Sequence, residues 1–589
     1  MKRLRIGLLL DDTRSNKYVY DLALWASGRS DLGITHLILH PLRGGGPGAP
    51  AGESRPRRLR HLPARIAFAA IERFERRLLA RHGEYADHWR VCDLALHVGE
   101  ALEIRPIVSG SGYVYRFSDE DVARVRALEL DLLICCGSGI LRGDILRASR
   151  LGVLSLHHGD NRVNRGGPAG FWECYYRWPQ TGFVIQRLTE ELDGGDVLVR
   201  GAFGTRHHYL LNQAHLYMKS LAHLKALLEK AAQRGELPRF ETEPAPYSNR
   251  LFRAPTLAQC FAYGGKLAAR LARRAIARAV LPSERWSVSV LRAPWGRAAF
   301  WHSTPSVPPR GHYWADPFLA TRGGRTFCFV EDYVFAEGKA HIAALEVVGT
   351  RLEPSGVALR EPFHLSFPFL FEHAGALYMC PEAAASRQVR VYRCTDFPLN
   401  WELAATLMEY VSAADTMLFE RNGRWWMLTS LEETRYGDHC ADLHLFSSDS
   451  PLCTRWVPHP QNPLRVDSVG GRNAGLVIEG EHIYRMAQSQ GFDRYGLALL
   501  AYEITEITES RYVERLVATI GPGFRKGLLG THHLSSDGRI TVIDHLSRRH
   551  PYPRPRGAVS RRAARECLAR VERFDPEAIL PAAARRTSE

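Results

Sequence analysis

Two hydrophobic rhythms divide the chain. In the first part, LRIGLLL (4–10) and ITHLILH (34–40) are unbroken apolar runs of strand length, and VYDLALWAS (19–27) between them has apolar residues at helical spacing. Alternating strand and helix predicts a Rossmann-like α/β domain built on βαβ units. After a loose Gly/Pro/Arg segment (42–60) and a long basic helix (63–82), DEDVARVRALELDLLICCGSGILRGDILRASRLGVLSLHHGD reads as helix, strand, turn, helix and strand. Its last strand delivers His157 to the C-terminal end, where open α/β sheets hold their chemistry. No dinucleotide glycine fingerprint follows the first strand, so the fold alone does not imply NAD. YLLNQAHLYMKSLAHLKALLEKAAQR (209–234) predicts a helix that closes this domain at about 235.

A polar linker with a basic helix (257–281) occupies 236–285, and then helices almost vanish. Five 17-residue stretches begin at 315, 366, 414, 473 and 530, spaced by 51, 48, 59 and 57 residues. Each has a polar start, an apolar strand, a glycine turn and a second apolar strand. Repeats of about 50 residues built this way are the signature of a propeller, one repeat to a blade. The expected architecture is therefore an α/β Rossmann-like domain (1–235), the linker, an all-β five-bladed β-propeller (286–548) and a basic tail (549–589).

Composition adds limits. At 589 residues the chain has room for two or three cores. A 45% hydrophobic fraction without a run of 18 apolar residues predicts a soluble globular protein. Asp11 and Asp12 cut the first apolar run too short for a signal peptide. Eleven cysteines in no regular framework suit a reducing compartment, which makes the cytoplasm the expected location. The net charge of +15 gathers at 54–65, 266–278 and 560–570. These runs read as solvated basic faces; they leave peripheral contact with an acidic membrane open, and no nucleic-acid motif accompanies them.

The residues from about 115 to 205 have a family resemblance. LDLLICCGSGILRGDILRASRLGVLSLHH, NRGGPAGFW, GFVIQRL and LDGGDVL resemble, in order and spacing, the catalytic domain of the folate-dependent formyltransferases, which act on methionyl-tRNA or on amino sugars. The resemblance implies transfer of a formyl group from 10-formyltetrahydrofolate to an amine. It maps the family's catalytic histidine onto His157 and its aspartate onto Asp193, and it puts Ser155 where the family has asparagine. It also implies that Cys136, Gly137, Ser138, Gly139, Ile140 and Leu141 form the turn that holds the pterin ring. The residue types suit the reaction: a tetrahedral oxyanion needs a donor, and the attacking amine must lose a proton. A serine hydroxyl is one donor on a shorter arm than the family amide and holds the oxyanion less well, so Asn161 and Asn164 are considered as amides that reach in. His158, His207 and His208 are read as non-catalytic, and no metal site is expected because a spaced cysteine or carboxylate partner set is missing.

The second half has its own look-alike. ADPFL, HLSFPFLFE, YMCPE, FPLNW, HPQNPL, RNAG and YRMAQ resemble the propeller at the N-terminus of plant glucosamine inositolphosphorylceramide transferases, itself similar to the inverting arabinanase and xylosidase propellers. Equivalent repeat positions supply Asp316 and Asp415, the ends of second strands supply Glu331 and Glu382, and Arg472 is a candidate partner for a carboxylate or phosphate. Phe367 stands where a second-blade aspartate would. Tyr313 or Trp314 is expected to stack on a sugar. Carboxylates across a funnel suit inverting glycoside hydrolysis, glycan binding without cleavage, or simple filling of a channel.

Two functions follow. One is a formyltransferase-like enzyme that acts on an amino sugar or sugar nucleotide in bacterial surface-glycan assembly, with the propeller recognising a glycan or glycolipid. The other is a propeller-centred glycan-binding or glycan-processing protein whose α/β domain has kept the fold and lost transfer.

Overall fold

The protein is described from a computed structural model, which describes residues 3–41, 55–191, 194–241, 246–280, 284–432, 434 and 439–548. The expected basic tail and the 560–570 run lie outside these residues.

The first half is built on one seven-stranded sheet in the order Asp196–Gly204, Gln180–Arg187, Val153–His157, Leu132–Cys135, Leu4–Leu10, Leu32–Leu39, Glu100–Glu103. The last five strands in this order are parallel; Gln180–Arg187 runs antiparallel to them, and Asp196–Gly204 pairs antiparallel with Gln180–Arg187. Leu4–Leu10 lies between two parallel neighbours, Ile6 opposite Ile34 and Leu132, and is buried along most of its length. That is why it reads as a continuous apolar run and does not alternate.

Helix α1 (Lys17–Ser27) starts at Asn16, whose side chain accepts the Val19 N–H; α2 is Arg55–Leu79, and α3 (Asp119–Arg126) is capped by Ser118. The helix expected between the 132 and 153 strands is only a 3-10 turn, Asp144–Arg147. Gly143 at its start has φ +83° and Gly152, which ends the segment, has φ +85°, both outside the helical region. Helix α4 is Phe171–Tyr176, and α5 (Tyr209–Arg234) ends on Gly235 in the left-handed region at φ +73°. Helix α6 (Leu257–Val280) crosses from one half to the other. Its Tyr263 donates to buried Glu75 of α2 and accepts from Tyr209 N of α5 at 2.8 Å, which fixes its early turns to the α/β half.

The second half comprises five antiparallel sheets. Three are four-stranded meanders: His312–Leu359, Ser366–Glu409 and Val469–Ile520. A fourth runs from Ala413 to Val466. The remaining sheet joins the two ends of this half, because Glu284–Leu291 pairs with Thr541–Arg548, Glu284 opposite Arg548 and Leu291 opposite Thr541. The first strands of successive sheets adjoin in turn (312, 366, 413, 469), and the 469 strand adjoins Leu534–Ser536, which itself adjoins the 312 strand.

The repeated polar start has a structural counterpart. The register slips between Ala315 and Phe318, Ser366 and Phe369, Ala414 and Met417, and Asn473 and Leu476. At these bulges Asp316, Phe367 and Asp415 have φ of +48°, +45° and +51°. In the first and third of these sheets the bulge residue is an aspartate, Asp316 or Asp415.

The two halves meet through α5 and the Ala413–Val466 sheet. Ala441 and Val466 pack into the α/β core, Ser468 N donates to Ala202 O at 3.0 Å, and Lys230 Nζ donates to Asn462 O at 2.8 Å. Lys219 of α5, 2% exposed at its side chain, lies 2.7 Å from Glu432. Among the described residues no helix is long and apolar enough to cross a membrane.

Candidate functional site

Two places gather chemistry. The first lies at the C-terminal edge of the parallel strands, where a cavity of about 270 Å³ is lined by Ser155, by Cys136, Gly137, Gly139, Ile140 and Leu141 of the expected turn, and by a stacked pair of rings. The pair is His158 on Tyr217, with centroids 3.5 Å apart and planes 2° apart. Burial, with His157 next in effect, pushes the His158 imidazole far below its ordinary range and keeps it neutral. Ser138 turns away: its N–H and its hydroxyl both donate to Asp11, the hydroxyl at 2.8 Å. Gly137 packs on His40, whose ring would lie 2.8 Å from any Cβ there. Burial pushes the Cys135 thiol up to about 12, so it is no thiolate at neutral pH.

His157 ends its strand as expected, with Nε2 3.1 Å from Asn164 O, but the residue lining the cavity is its neighbour His158. Asp193 lies outside the described residues. The two amides considered as replacements point elsewhere. Asn164 Nδ2 donates to buried Glu173 at 2.8 Å, and Asn161 Oδ1 accepts from Arg200 at 2.9 Å. Burial raises Glu173 to about 7, against the Asn164 bond. Of the residues that the sequence singled out, the turn and Ser155 line this cavity together with the ring pair. A larger cavity, about 1220 Å³, lies at the opposite edge of the strands, where Arg150 and Arg187 are paired with Asp131 and Asp196.

The second place is the centre of the five sheets, where the residues expected from equivalent repeat positions come together. Arg472 reaches Asp415 at 2.5 Å and Glu382 at 3.0 Å. Gln488 Nε2 donates to Asp415 at 3.2 Å. Tyr313 OH donates to Glu331 at 2.9 Å, and His364 Nε2 lies 3.6 Å from the same carboxylate. Asp316 lies 3.5 Å from His532 Nε2, whose Nδ1 is 2.6 Å from Asp544. Sequence reasoning missed His532 and Asp544. Their signal was present in the fifth repeat, GTHHLSSDGRITVIDHL, where they stand at the polar start and near the end of the second strand, displaced by one and two residues from the positions of Asp316 and Glu331.

Five carboxyl groups here face one guanidinium and two imidazoles, of which His364 is kept neutral by burial, and the charge imbalance decides their proton affinities. Burial raises Asp316 to about 7, with Asp415 and Asp544 adding to it against His532. Burial also raises Asp415 to about 7, against the Arg472 ion pair. Glu331 is held well above the carboxylate range by burial and by Asp316. Burial alone would lower His532, but Asp544 and Asp316 lift it to about 9, so it is an imidazolium. Arg472, for the same reason, keeps its proton beside Asp415. Asp316, His532 and Asp544 bring three ligand atoms within 4.8 Å of one another, a spacing that can hold a cation.

This cluster is a floor and not an open wall. Asp415 is 1% exposed and Asp316 and Glu331 are each 6% exposed. Above it lies a cavity of about 620 Å³ whose aromatic lining touches the cluster from outside. Trp286 stacks on His532 at 3.9 Å, Tyr313 holds Glu331, and Tyr495 lies 5.4 Å from the Arg472 guanidinium. Trp314, expected to stack on a sugar, is 2% exposed and packs among Val288, Val290 and Cys328. It lies one residue from Tyr313, so strand alternation sends it into the core while Tyr313 faces the cavity. Phe367 is fully buried beside Phe318 and His533, and it closes the column where an aspartate was missing.

The rim of the cavity is basic. Arg270, Arg273 and Arg274 of α6, with Arg494 and Arg548, face only two lining carboxylates, Glu284 and Asp493. The 266–278 run, read from sequence as a solvated face, thus supplies one side of a cavity over the centre of the sheets.

Comparison with known proteins bears on this second half. Residues 302–544 match the family described as glucosamine inositolphosphorylceramide transferase 1, N-terminal. The glucosamine inositolphosphorylceramide transferase 1 of Oryza sativa subsp. japonica is 34% identical over 263 residues, which are 41% of this chain and 34% of that protein. That of Arabidopsis thaliana is 33% identical over 250 residues, 40% of this chain and 32% of the other. The chain thus spans about a third of the length of the curated relatives it matches. Among solved structures, a family 117 glycoside hydrolase of Zobellia galactanivorans covers 45% of this chain and 91% of its own at 11% identity and a TM-score of 0.30. A Shewanella sugar N-formyltransferase covers 45% and 87% at 13% identity and a TM-score of 0.26.

Proposed function

We propose that the five sheets form a closed five-bladed β-propeller that binds a phosphate-bearing saccharide, such as an amino-sugar nucleotide or a phosphoglycolipid, in the cavity at its mouth. The observation that carries this is the lining: aromatic faces of Trp286, Tyr313 and Tyr495 over a polar floor, with five arginines at the rim. Aromatic faces take the apolar side of a sugar ring, and guanidinium groups take phosphate in bidentate fashion. Similarity of residues 302–544 to a domain of transferases named for an inositolphosphorylceramide acceptor supports the same class of ligand. Binding is favoured over hydrolysis because Arg472 spans Asp415 and Glu382 and engages both carboxylates, whereas an inverting pair needs an acid and a base free to reach substrate and water.

The experiment is calorimetric titration of the full chain with a UDP-hexosamine, inorganic phosphate and a neutral oligosaccharide. Binding of the first that weakens at least ~10-fold in Arg273→Ala/Arg274→Ala, a double variant on an exposed helix face, is the expected result. Equal affinity for the neutral oligosaccharide, or no binding at all, would overturn the reading.

A second reading concerns the α/β half, supported by the cavity that the Cys136–Leu141 turn and the His158–Tyr217 pair line. Here 10-formyltetrahydrofolate would supply a formyl group for an amine of an amino sugar. The chain's own part is limited to what it holds: the turn and the stacked rings bind a flat ring, Ser155 offers its hydroxyl, and His157, fixed by Asn164 O, stands one residue from the cavity wall. A thermal shift with a folate analogue and formyl transfer raised in Ser155→Asn are expected on this reading. Stabilisation by the analogue without transfer in either form supports a fold that has kept its ring site and lost the reaction.

A further inference from the structure

The histidines His207 and His208 have companions that their spacing does not reveal. His82, just past the end of α2, brings a third imidazole to them, and one nitrogen of each ring lies within 4.8 Å of the others. The rings crowd at one point: His207 and His208 centroids are 4.9 Å apart, and His82 is 6.3 Å from each. Carboxylates stand behind two of them. Glu75 Oε2 is 3.4 Å from Nδ1 of His208, and Asp493 Oδ1 is 3.4 Å from Nδ1 of His207. That leaves the Nε2 atoms for the centre, and His208 Nε2 is buried without a hydrogen-bond partner.

We propose that His82, His207 and His208 bind a divalent transition-metal ion of the zinc class, with Glu75 and Asp493 orienting two of the rings. Three imidazoles without thiolate suit zinc and its neighbours over calcium or magnesium, which take oxygen ligands. A carboxylate on the far nitrogen is the usual support of a metal-bound histidine, because it fixes the tautomer that presents the other nitrogen. The Leu211 N–H, 3.3 Å from His208 Nδ1, competes for that nitrogen in the metal-free state; loading the site hands Nδ1–H to Glu75. The ion would tie three elements that are far apart in sequence: the exit of α2, the N-cap of α5 and, through Asp493, the turn between the second and third strands of the Val469–Ile520 sheet. It lies beside the arginine rim, because Asp493 also pairs with Arg270. Its role is therefore to hold the α/β half and the 469–520 sheet in one arrangement around that cavity.

The test uses the full chain after dialysis against a chelator. Cobalt(II) titration should give the visible bands of a four-coordinate site at about one ion per chain, zinc should displace them, and zinc should raise the thermal midpoint. His82→Ala, a half-buried change outside the helices, should weaken cobalt binding ~100-fold or more and abolish the zinc-dependent shift while keeping the metal-free midpoint. Asp493→Asn should weaken binding less, ~10-fold. His207→Gln provides a second ligand variant if His82→Ala folds poorly. Absence of the visible bands, or cobalt affinity in either ligand variant equal to that of the unchanged protein, would overturn the proposal.

Discussion

Two buried clusters of charge, one at the junction of the halves and one under the sheet centre, respond to burial in opposite ways. At the junction Lys219 lies 2.7 Å from Glu432 and 3.4 Å from Asp442, and His223 lies 3.1 Å from Asp442. Burial alone would raise Asp442, but Lys219 and His223 outweigh it and hold the carboxyl at about 2. Under the sheet centre, Asp316 and Asp415 are as deeply buried and rise to about 7. Depth is the same; the ratio of cations to carboxyls differs. A buried carboxylate with enough cations is a fixed charge, while one that shares too few becomes a proton store.

The comparison is broken most directly at the junction. Lys219→Met takes the lysine from Glu432 and Asp442 and leaves only His223 beside Asp442, and a loss of ~3–5 kcal/mol is expected in urea unfolding at pH 7. A loss below ~1 kcal/mol would show that the cluster is solvated after all. Arg472→Met should cost less at pH 6, ~1–2 kcal/mol, because Asp415 can take up a proton there, and distinctly more at pH 9. Equal losses at the two pH values would remove the distinction between fixed charge and proton store.

The pH dependence of the unchanged protein sharpens the same point. Asp316 and Asp415 have raised pKa values, so their contribution is full below ~4 and is lost as pH rises through about 7. His532 is raised as well; its contribution is full below ~6.5 and is lost as pH rises through about 9. Asp442 is lowered, so its contribution is full above ~4 and is lost as pH falls through about 2. Buried histidines with lowered pKa values, such as His88 and His444 at about 4, work the other way up to pH ~6.5, so the carboxyl contribution is read from a variant: relative to the unchanged protein, the thermal midpoint of Asp316→Asn should rise between pH 5 and pH 7. The smallest effect is the stability change of Asp316→Asn itself at pH 5, expected under ~1 kcal/mol: asparagine tolerates the φ of +48°, and the carboxyl it replaces is already protonated there.

Much of the architecture was legible because local rules repeat. Tyr209–Arg234 was readable end to end from helical spacing and a terminal glycine, and four of the five hairpin stretches marked the sheets by the same slip in register. What escaped depends on partners far along the chain. Lys219 sits in a helix among alanine and leucine, and nothing near it announces Glu432, 213 positions on. Arg270, Arg273 and Arg274 follow the same amphipathic pattern as any solvated face, and only the placement of α6 across the two halves turns them onto a cavity. Asp316 and Asp415 were found from their repeat column, yet their burial was not, since a column gives direction and not depth. The amides Asn161 and Asn164 were near enough in sequence to seem useful, but Arg200 and Glu173 claim them.

The pairing of Glu284–Leu291 with Thr541–Arg548 sets the order in which this half can be made. Each of the three meanders and the Ala413–Val466 sheet is complete within a short span of chain and can form as soon as that span is available. The joining sheet cannot, since its two principal strands are separated by the whole half, and closing so long a loop is paid for before any contact rewards it. During synthesis Glu284–Leu291 waits with one edge unpaired until residue 548 has emerged, an exposed template for other chains. A chain cut short before Thr541 would lose more than its final hairpin, because the strand stranded at the other end would have nothing to close against.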